Sequence, residues 1–441
     1  MTMTPLKSDF LEKMRQQFDN APYPRTPLEE FPKNPKTLYI HSLVTAYYRR
    51  NQKVVTPAGK LILDAGCGTG YKSLELAIAN PGAKIVGIDL SPTSVDLARK
   101  RLQYHNIENV EFHAIAMEDL PSLGMQFDYI NNDEVLYLLP DPIAGLKAMK
   151  GVLKPDGIIR TNFHSSVQRV IYHRAQKLFK QLGFMSGTEP EAEVQLVRET
   201  MHCLKEDVFM KRYGWNSNLA TSDEAVLANY LLEGDKGWTV LEFFDALDKA
   251  GLEMISMVNW REWDLLSLFD NIDELPLSVM LSLSEQSIPE QLHLYELLNP
   301  CHRLLDAWCG LPGQTQNYEP IADWSDETWR SATVHLHSHL ITDEFRAALK
   351  EAVTEAKVFE INRFFRLADV SIAIDSQGAS CLLPLLEMPK SINALIDWWR
   401  TLRPFNPVTQ EPTSEAEAFA RVKTLLKPLE EIGYVMIESN L

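Results

Sequence analysis

The stretch Leu61-Ile-Leu-Asp-Ala-Gly-Cys-Gly-Thr-Gly70, followed by Ile85-Val-Gly-Ile-Asp89, decides the fold. An apolar run stops at Asp64 and turns into glycines. A second apolar run ends in an acid nineteen positions after Gly70. A strand–helix–strand unit with this pattern holds a nucleoside. Gly66, Gly68 and Gly70 let the backbone pass close to a ligand and take positive φ values that a Cβ forbids. Asp89, at the tip of the second strand, can accept both hydroxyls of a ribose.

A dinucleotide loop reads G-x-G-x-x-G and seats a diphosphate on a helix N-terminus. Here Asp64 stands ahead of the glycines. An acid in the loop repels a diphosphate and suits a cation. S-adenosylmethionine carries an ammonium and a sulfonium, so the acidic loop fits it. Loop, acid and flanking strands resemble the first motif of class I S-adenosylmethionine-dependent methyltransferases. The resemblance covers residues 60 to 165. A weaker likeness extends to Asn20-Ala-Pro-Tyr-Pro24 and to Tyr230-Leu-Leu-Glu233 with Trp238-Thr-Val-Leu-Glu-Phe-Phe244. These are similar to bacterial methyltransferases carrying a regulatory domain, some of which methylate protein lysines.

The resemblance implies a set of cofactor contacts. Asp64 is expected near the amino group, with Gly66, Cys67, Gly68 and Gly70 along the methionine part. Asp89 and its neighbour Leu90 are expected at the ribose. Related enzymes often carry Asp where this chain has Ala116, so Glu118 or the backbone at Met117 is expected to meet the adenine instead. Asn131 is expected beside the methionine part, and Tyr23, held between two prolines, as a wall of the pocket. After the fourth strand, Asn131-Asn-Asp-Glu-Val-Leu-Tyr137 offers Asn132, Glu134 and Tyr137 as catalytic candidates, each with a helix cap or supporting role as the alternative. Cys67 reads as a small packing residue rather than a thiol nucleophile.

With 441 residues the chain is too long for one core and predicts two or three domains. No apolar run approaches the length of a membrane span, and Met1-Thr-Met-Thr-Pro-Leu-Lys-Ser8 lacks the build of a signal peptide. The five cysteines form no C-x-x-C pair, so neither a disulfide framework nor a zinc site is indicated. These features predict a cytoplasmic protein. A net charge of −17, with no basic run longer than Arg99-Lys-Arg101, disfavours nucleic acid as a partner. Nothing indicates a membrane partner, and a homodimer is left open.

The expected architecture is α/β: a doubly wound, mostly parallel Rossmann-like sheet with a helical insertion and a small C-terminal module. Residues 1–59 read as an N-terminal helical cap, with one helix over 38–51. Residues 60–166 read as the cofactor-binding core, with Lys154-Pro-Asp-Gly157 as a turn. Residues 167–235 read as an inserted helical lid, with a surface-packed helical extension used for dimerisation as the alternative. Residues 236–345 hold the helix Thr239–Gly251, the strand Leu252–Val258, a helix-rich stretch, and Thr333–His339 as the last sheet strand. Residues 346–441 read as a winged-helix-like module of three helices and a strand, too acidic to read DNA. His335, His337 and His339 alternate and so share a face, but no acid or cysteine completes a metal shell, and no metal is expected.

These features predict a methyltransferase using S-adenosylmethionine. The loop after strand four is not of the Asn-Pro-Pro-Tyr type that serves planar amines. An acid and a tyrosine there favour an amine or oxygen acceptor on a small metabolite or natural product. The alternatives are a protein lysine acceptor and a cofactor-binding regulator without turnover.

Overall fold

The structure is a computed structural model. It describes residues 5–20, 22–185, 190–314, 319–365, 367, 372–406 and 409–440, without the side chains of 5–10 and 17. The expectations that fall on residues 1–4 and on 186–189 of the insertion lie outside the described residues.

Seven strands form the main sheet: β1 (Leu61–Ala65), β2 (Lys84–Asp89), β3 (Val110–Ala114), β4 (Phe127–Asn132), β5 (Leu153–His164), β6 (Glu253–Met257) and β7 (Leu304–Gly310). Their order is β3-β2-β1-β4-β5-β7-β6. The pairings among β1 to β5 are all parallel, and β7 is antiparallel to both β5 and β6. The order reverses between β1 and β4, which opens a crevice at the strands' C-terminal edge. Val, Ile and Leu dominate β1 and β2 because helices cover both faces. Ser91 caps the helix Pro92–Tyr104 through the Ser94 N–H, with Pro92 in the first turn. The helix Val240–Ala250 starts on a Thr239–Glu242 capping box and ends on Gly251 at φ 71°.

Three expectations need correction. Lys154-Pro-Asp-Gly157 is not a turn before the strand. It is a bulge inside β5, where the register jumps from Phe127↔Leu153 to Tyr129↔Ile158. The helix expected over 38–51 is split by Ser42, at φ −74° and ψ 119°, into Pro35–His41 and Leu43–Asn51. The last sheet strand is not Thr333–His339 but β7, Leu-Leu-Asp-Ala-Trp-Cys-Gly310, inside a stretch read as helical. A short apolar run buried on both faces carries no period that separates strand from helix.

Thr333–Leu336 (β8) belongs to a second sheet. After the short pair β9 (Phe359–Glu360) and β10 (Ala373–Ile374), strands β11 (Lys390–Ser391) and β12 (Val435–Glu438) flank β8 antiparallel. One core joins Trp324, Trp329 and Val334 to Leu395, Phe419 and Ile437. The C-terminal unit therefore starts before residue 346. The three helices expected there are present, as Ser376–Leu382 with a 3-10 extension, Ile392–Leu402 and Glu415–Ile432. Helices separate β8, β11 and β12 in sequence, so these strands do not form the hairpin of a wing.

The insertion leaves and returns at the tip of β5, where Ser166 N–H donates to Trp238 O (2.9 Å) and Trp238 N–H to His164 O (2.8 Å). Its helices, from Val170–Gln181 to Asp223–Asn229, enclose a small core of Phe179, Val194, Met201 and Tyr230. A second insertion, residues 258–303, joins β6 to β7 and carries the helices Leu277–Ser284 and Ile288–Leu298. Because β7 runs antiparallel to β6, this segment also sits at the crevice edge.

Candidate active site

The loop after β1 takes the shape that its glycines permit. Gly66, Gly68 and Gly70 have φ of 90°, 49° and 81°. A Cβ on Gly68 would lie 2.2 Å from Tyr23 O, and one on Gly66 2.4 Å from Val135 Cγ2. The segment after the first helix crosses the loop. Thr69 N–H donates to Tyr23 O (3.0 Å) and Thr69 Oγ1 to Pro24 O (2.7 Å). Arg101 ties the same strap, donating to Thr69 O (2.9 Å), Thr26 O (2.6 Å) and Pro27 O (2.6 Å).

Asp89 stands at the tip of β2, where Gly68 N–H and Ser91 N–H each donate to one carboxylate oxygen at 2.9 Å. Burial pushes its carboxyl up, against those two hydrogen bonds. Each oxygen keeps a lone pair for a hydroxyl donor. Leu90 follows, half-buried. Asp64 is enclosed behind the loop. Ser73 Oγ donates to it at 2.6 Å and Asn131 Nδ2 at 3.0 Å. Burial pushes its carboxyl up to about 6, with the Ser73 and Asn131 bonds opposing. The Cys67 thiol is buried against Leu74, Val95, Ala98 and Phe112, and burial with Asp89 and Asp64 nearby pushes its pKa well up. It packs and stays protonated. Met117 opens the 3-10 helix Met117–Leu123 with its side chain in the core, and Glu118 is half-buried in that helix's first turn.

The residues after β4 divide into two groups. Asn131 and Asn132 are fully buried ties. Asn131 Oδ1 accepts from Arg160 (3.0 Å), while Asn132 bridges Ala65 O (2.9 Å) and Thr161 Oγ1 (3.0 Å). Each end of the Asn132 amide makes one of these bonds, so it links β4 to its two neighbouring strands. Arg160 also forks onto Asp306 of β7 (2.6 and 3.1 Å) and donates to His41 Nε2 (3.0 Å). Asp133 accepts from Asn162 Nδ2 (2.7 Å) and lies 3.3 Å from Lys72 Nζ. Burial opposes its ionisation, yet Arg160 and Lys72 hold its carboxyl well below the usual range. These buried charges compensate each other, and through Asn131 they hold Asp64 in place.

The second group gathers at the tips of β4 and β5. Glu134, at φ 58°, is clamped by Arg303 through two bonds of 2.6 and 2.8 Å. The Tyr137 ring stacks on His164, with centroids 3.9 Å apart. Burial, then the nearby Glu134 charge, pushes the Tyr137 phenol well up, so it stays neutral. His164 Nδ1 lies 2.7 Å from Asp235 Oδ1, and its Nε2 lies 3.2 Å from Arg303 Nη1. A carboxylate only accepts and a guanidinium only donates, so Nδ1 carries the proton and Nε2 the lone pair. Burial pushes the His164 pKa down, against the Asp235 bond. Asp235 is completely buried and takes Arg169 on its other oxygen (2.8 Å). Tyr23 is 46% exposed, and partial burial, then the Glu134 charge, pushes its phenol up.

Sequence reading missed His164, Asp235 and Arg303. Each comes from a different segment, 71 to 169 positions from its partner, and none sits in a local motif. His337 Nε2 lies 3.2 Å from Thr45 Oγ1, and β8 ends before it, so the three alternating histidines do not share one strand face. Among the described residues no group of three metal-ligating side chains occurs, and no helix is long and apolar enough to cross a membrane.

Residues 57–219 match the family model of a methyltransferase domain. With the sheet order and the acid–glycine–acid geometry, this part of the chain is a class I S-adenosylmethionine-dependent methyltransferase domain. A Synechococcus protein described only as uncharacterised is 31% identical over 161 residues, 36% of this chain and 38% of that one. A ubiquinone biosynthesis O-methyltransferase of Acinetobacter baumannii is 34% identical over 113 residues, 25% of this chain and 46% of that one. The chain thus spans less than half the length of these relatives. Among solved structures, PKMT2 from Rickettsia typhi in complex with AdoHcy matches with a TM-score of 0.58 at 16% identity. That likeness covers 93% of this chain and 78% of that one, and it is a likeness of fold.

Proposed function

We propose that the chain transfers a methyl group from S-adenosylmethionine to an amine or oxygen acceptor bound in the crevice between the tips of β4 and β5. The observation that carries this is the placement of two acids around the glycine loop. Asp89 is oriented at the tip of β2 by two backbone N–H groups, and Asp64 is fixed behind the loop. The residues present fit the cofactor. Asp89 and Leu90 would hold the ribose, Asp64 would face the ammonium, and Glu118 or the Met117 backbone would meet the adenine. The bound cofactor supplies an activated methyl, so the protein's task is to position the acceptor and remove its proton.

His164 is our candidate for that proton. Asp235 holds its Nδ1–H, its Nε2 lone pair faces the Arg303 guanidinium, which an acceptor would displace, and its lowered pKa leaves it neutral at neutral pH. Glu134 and Tyr137 then act as positioning groups. Glu134 holds Arg303 beside Nε2, and Tyr137 fixes the imidazole plane. A small metabolite is the first acceptor class. A lysine of a protein is the second, favoured by the partial exposure of the Glu134 and Arg303 side chains, at 31% and 40%. The cytoplasm is the proposed location.

Calorimetry and methyl-tritiated cofactor test the reading. S-adenosylmethionine should bind, and Asp89→Ala should weaken binding by about 1–3 kcal/mol through lost charge-assisted hydrogen bonds. Label should enter a small-molecule extract or a protein fraction. His164→Asn should slow transfer and remove the low-pH limb of the rate profile while sparing cofactor affinity. Absent cofactor binding, NAD binding in its place, or label in nucleic acid would overturn the proposal.

A further inference from the structure

Two exposed, partly apolar surfaces of opposite local charge stand on the two insertions that leave this edge of the sheet. The first lies on the insertion after β5. Along the helix Val170–Gln181, Val170, Arg174, Lys177 and Leu178 form one exposed stripe at helical spacing, and Leu182 extends it. No acid occurs between residues 165 and 185. Phe209 and Tyr213, 51% and 59% exposed, continue the patch, with Arg174 stacked 5.4 Å from the Phe209 centroid.

The second surface lies on the insertion between β6 and β7. The helix Leu277–Ser284 buries none of its residues, and Leu277, Leu281 and Ile288 are 67%, 55% and 69% exposed. From residue 262 to 302 the sequence has eight acids and no Lys or Arg. A face this apolar marks an interaction site. Its charge repels an anionic lipid surface and nucleic acid alike.

We propose that the partner of each surface is the opposite surface on a second copy of this chain. Charge complementarity carries the assignment: a basic, partly aromatic face and an acidic, aliphatic face stand on the same molecule. Both insertions leave from the same edge of the sheet. A two-fold axis at that edge places each basic face on the partner's acidic face, so the contact forms twice and closes. The crevices of the two copies then face each other. The inference does not depend on methyl transfer.

Sedimentation velocity on the full chain is the test. A dimer is expected at about micromolar concentration, weakening with salt because the contact is charge-assisted. Arg174→Glu with Lys177→Glu should weaken it by about tenfold or more, and so should Asp273→Lys with Glu285→Lys. An equimolar mixture of the two double variants should dimerise again, since each then offers what the other lacks. So should the chain carrying all four changes. Circular dichroism should be unchanged throughout. A wild-type monomer across the range, a dimer indifferent to charge reversal, or double variants that stay monomeric on mixing would each overturn the proposal. A monomer whose reversals change only hydrogen exchange between the two insertions would assign the contact to closure within one chain, and would overturn it too.

Discussion

Asp64→Asn separates the structural cost of the loop acid from its use. Asp64 is an acid whose pKa is raised on folding, from 3.8 to about 6, by burial. The folded chain therefore holds the proton more tightly than the unfolded chain. Its stability contribution is greatest at low pH and is lost as pH rises from about 4 to about 6. At about 1.4 kcal/mol per pH unit, the loss reaches about 3 kcal/mol at neutral pH. The amide cannot ionise and keeps the neighbours satisfied. Its oxygen accepts from Asn131, and its NH₂ donates to a Ser73 hydroxyl that turns to accept. Relative to wild type, the variant should therefore gain about 2.5 kcal/mol between about pH 4 and about pH 7.5. Urea unfolding of the cofactor-free chain at those two pH values reads this directly. The same variant should lose most of its affinity for S-adenosylmethionine, because the ammonium loses its counter-charge. An identical stability offset at both pH values would refute the burial argument. A variant that gains stability and still binds the cofactor normally would remove Asp64 from the ammonium contact.

Gly68→Ala should destabilise the loop by about 1–2 kcal/mol from its left-handed φ alone, and its Cβ would push on Tyr23 O. Faster hydrogen exchange over residues 22–30 and weaker cofactor binding are expected; unchanged exchange there would mean that the strap does not rest on the loop. Glu134→Gln should slow transfer with little change in cofactor affinity, because it halves the clamp on Arg303 beside His164. An unchanged rate would remove Glu134 from the positioning set.

Much of this protein was written locally. The glycine loop, Asp64, Asp89, the Ser91 cap, the capping box at Thr239 and the insertion after β5 are all legible, because each depends on residues a few positions apart. A glycine that must take positive φ and an acid that ends a strand carry their reason with them. Tertiary structure decided the rest. β7 has the same apolar composition as a buried helix turn, and only the open edge beside β5 makes it a strand. Thr333–Leu336 has a strand's pattern, but Val435–Glu438 took it into a different sheet. The crevice behaves the same way. Glu134 and Tyr137 stand out in sequence as catalytic candidates, and packing set Arg303 against the one and His164 against the other. The imidazole, carboxylate and guanidinium that surround them come from the end of β5, from the foot of one insertion and from the end of another. A buried ion pair is selected by whichever complementary group the fold delivers within about 3 Å, and no local pattern records that delivery.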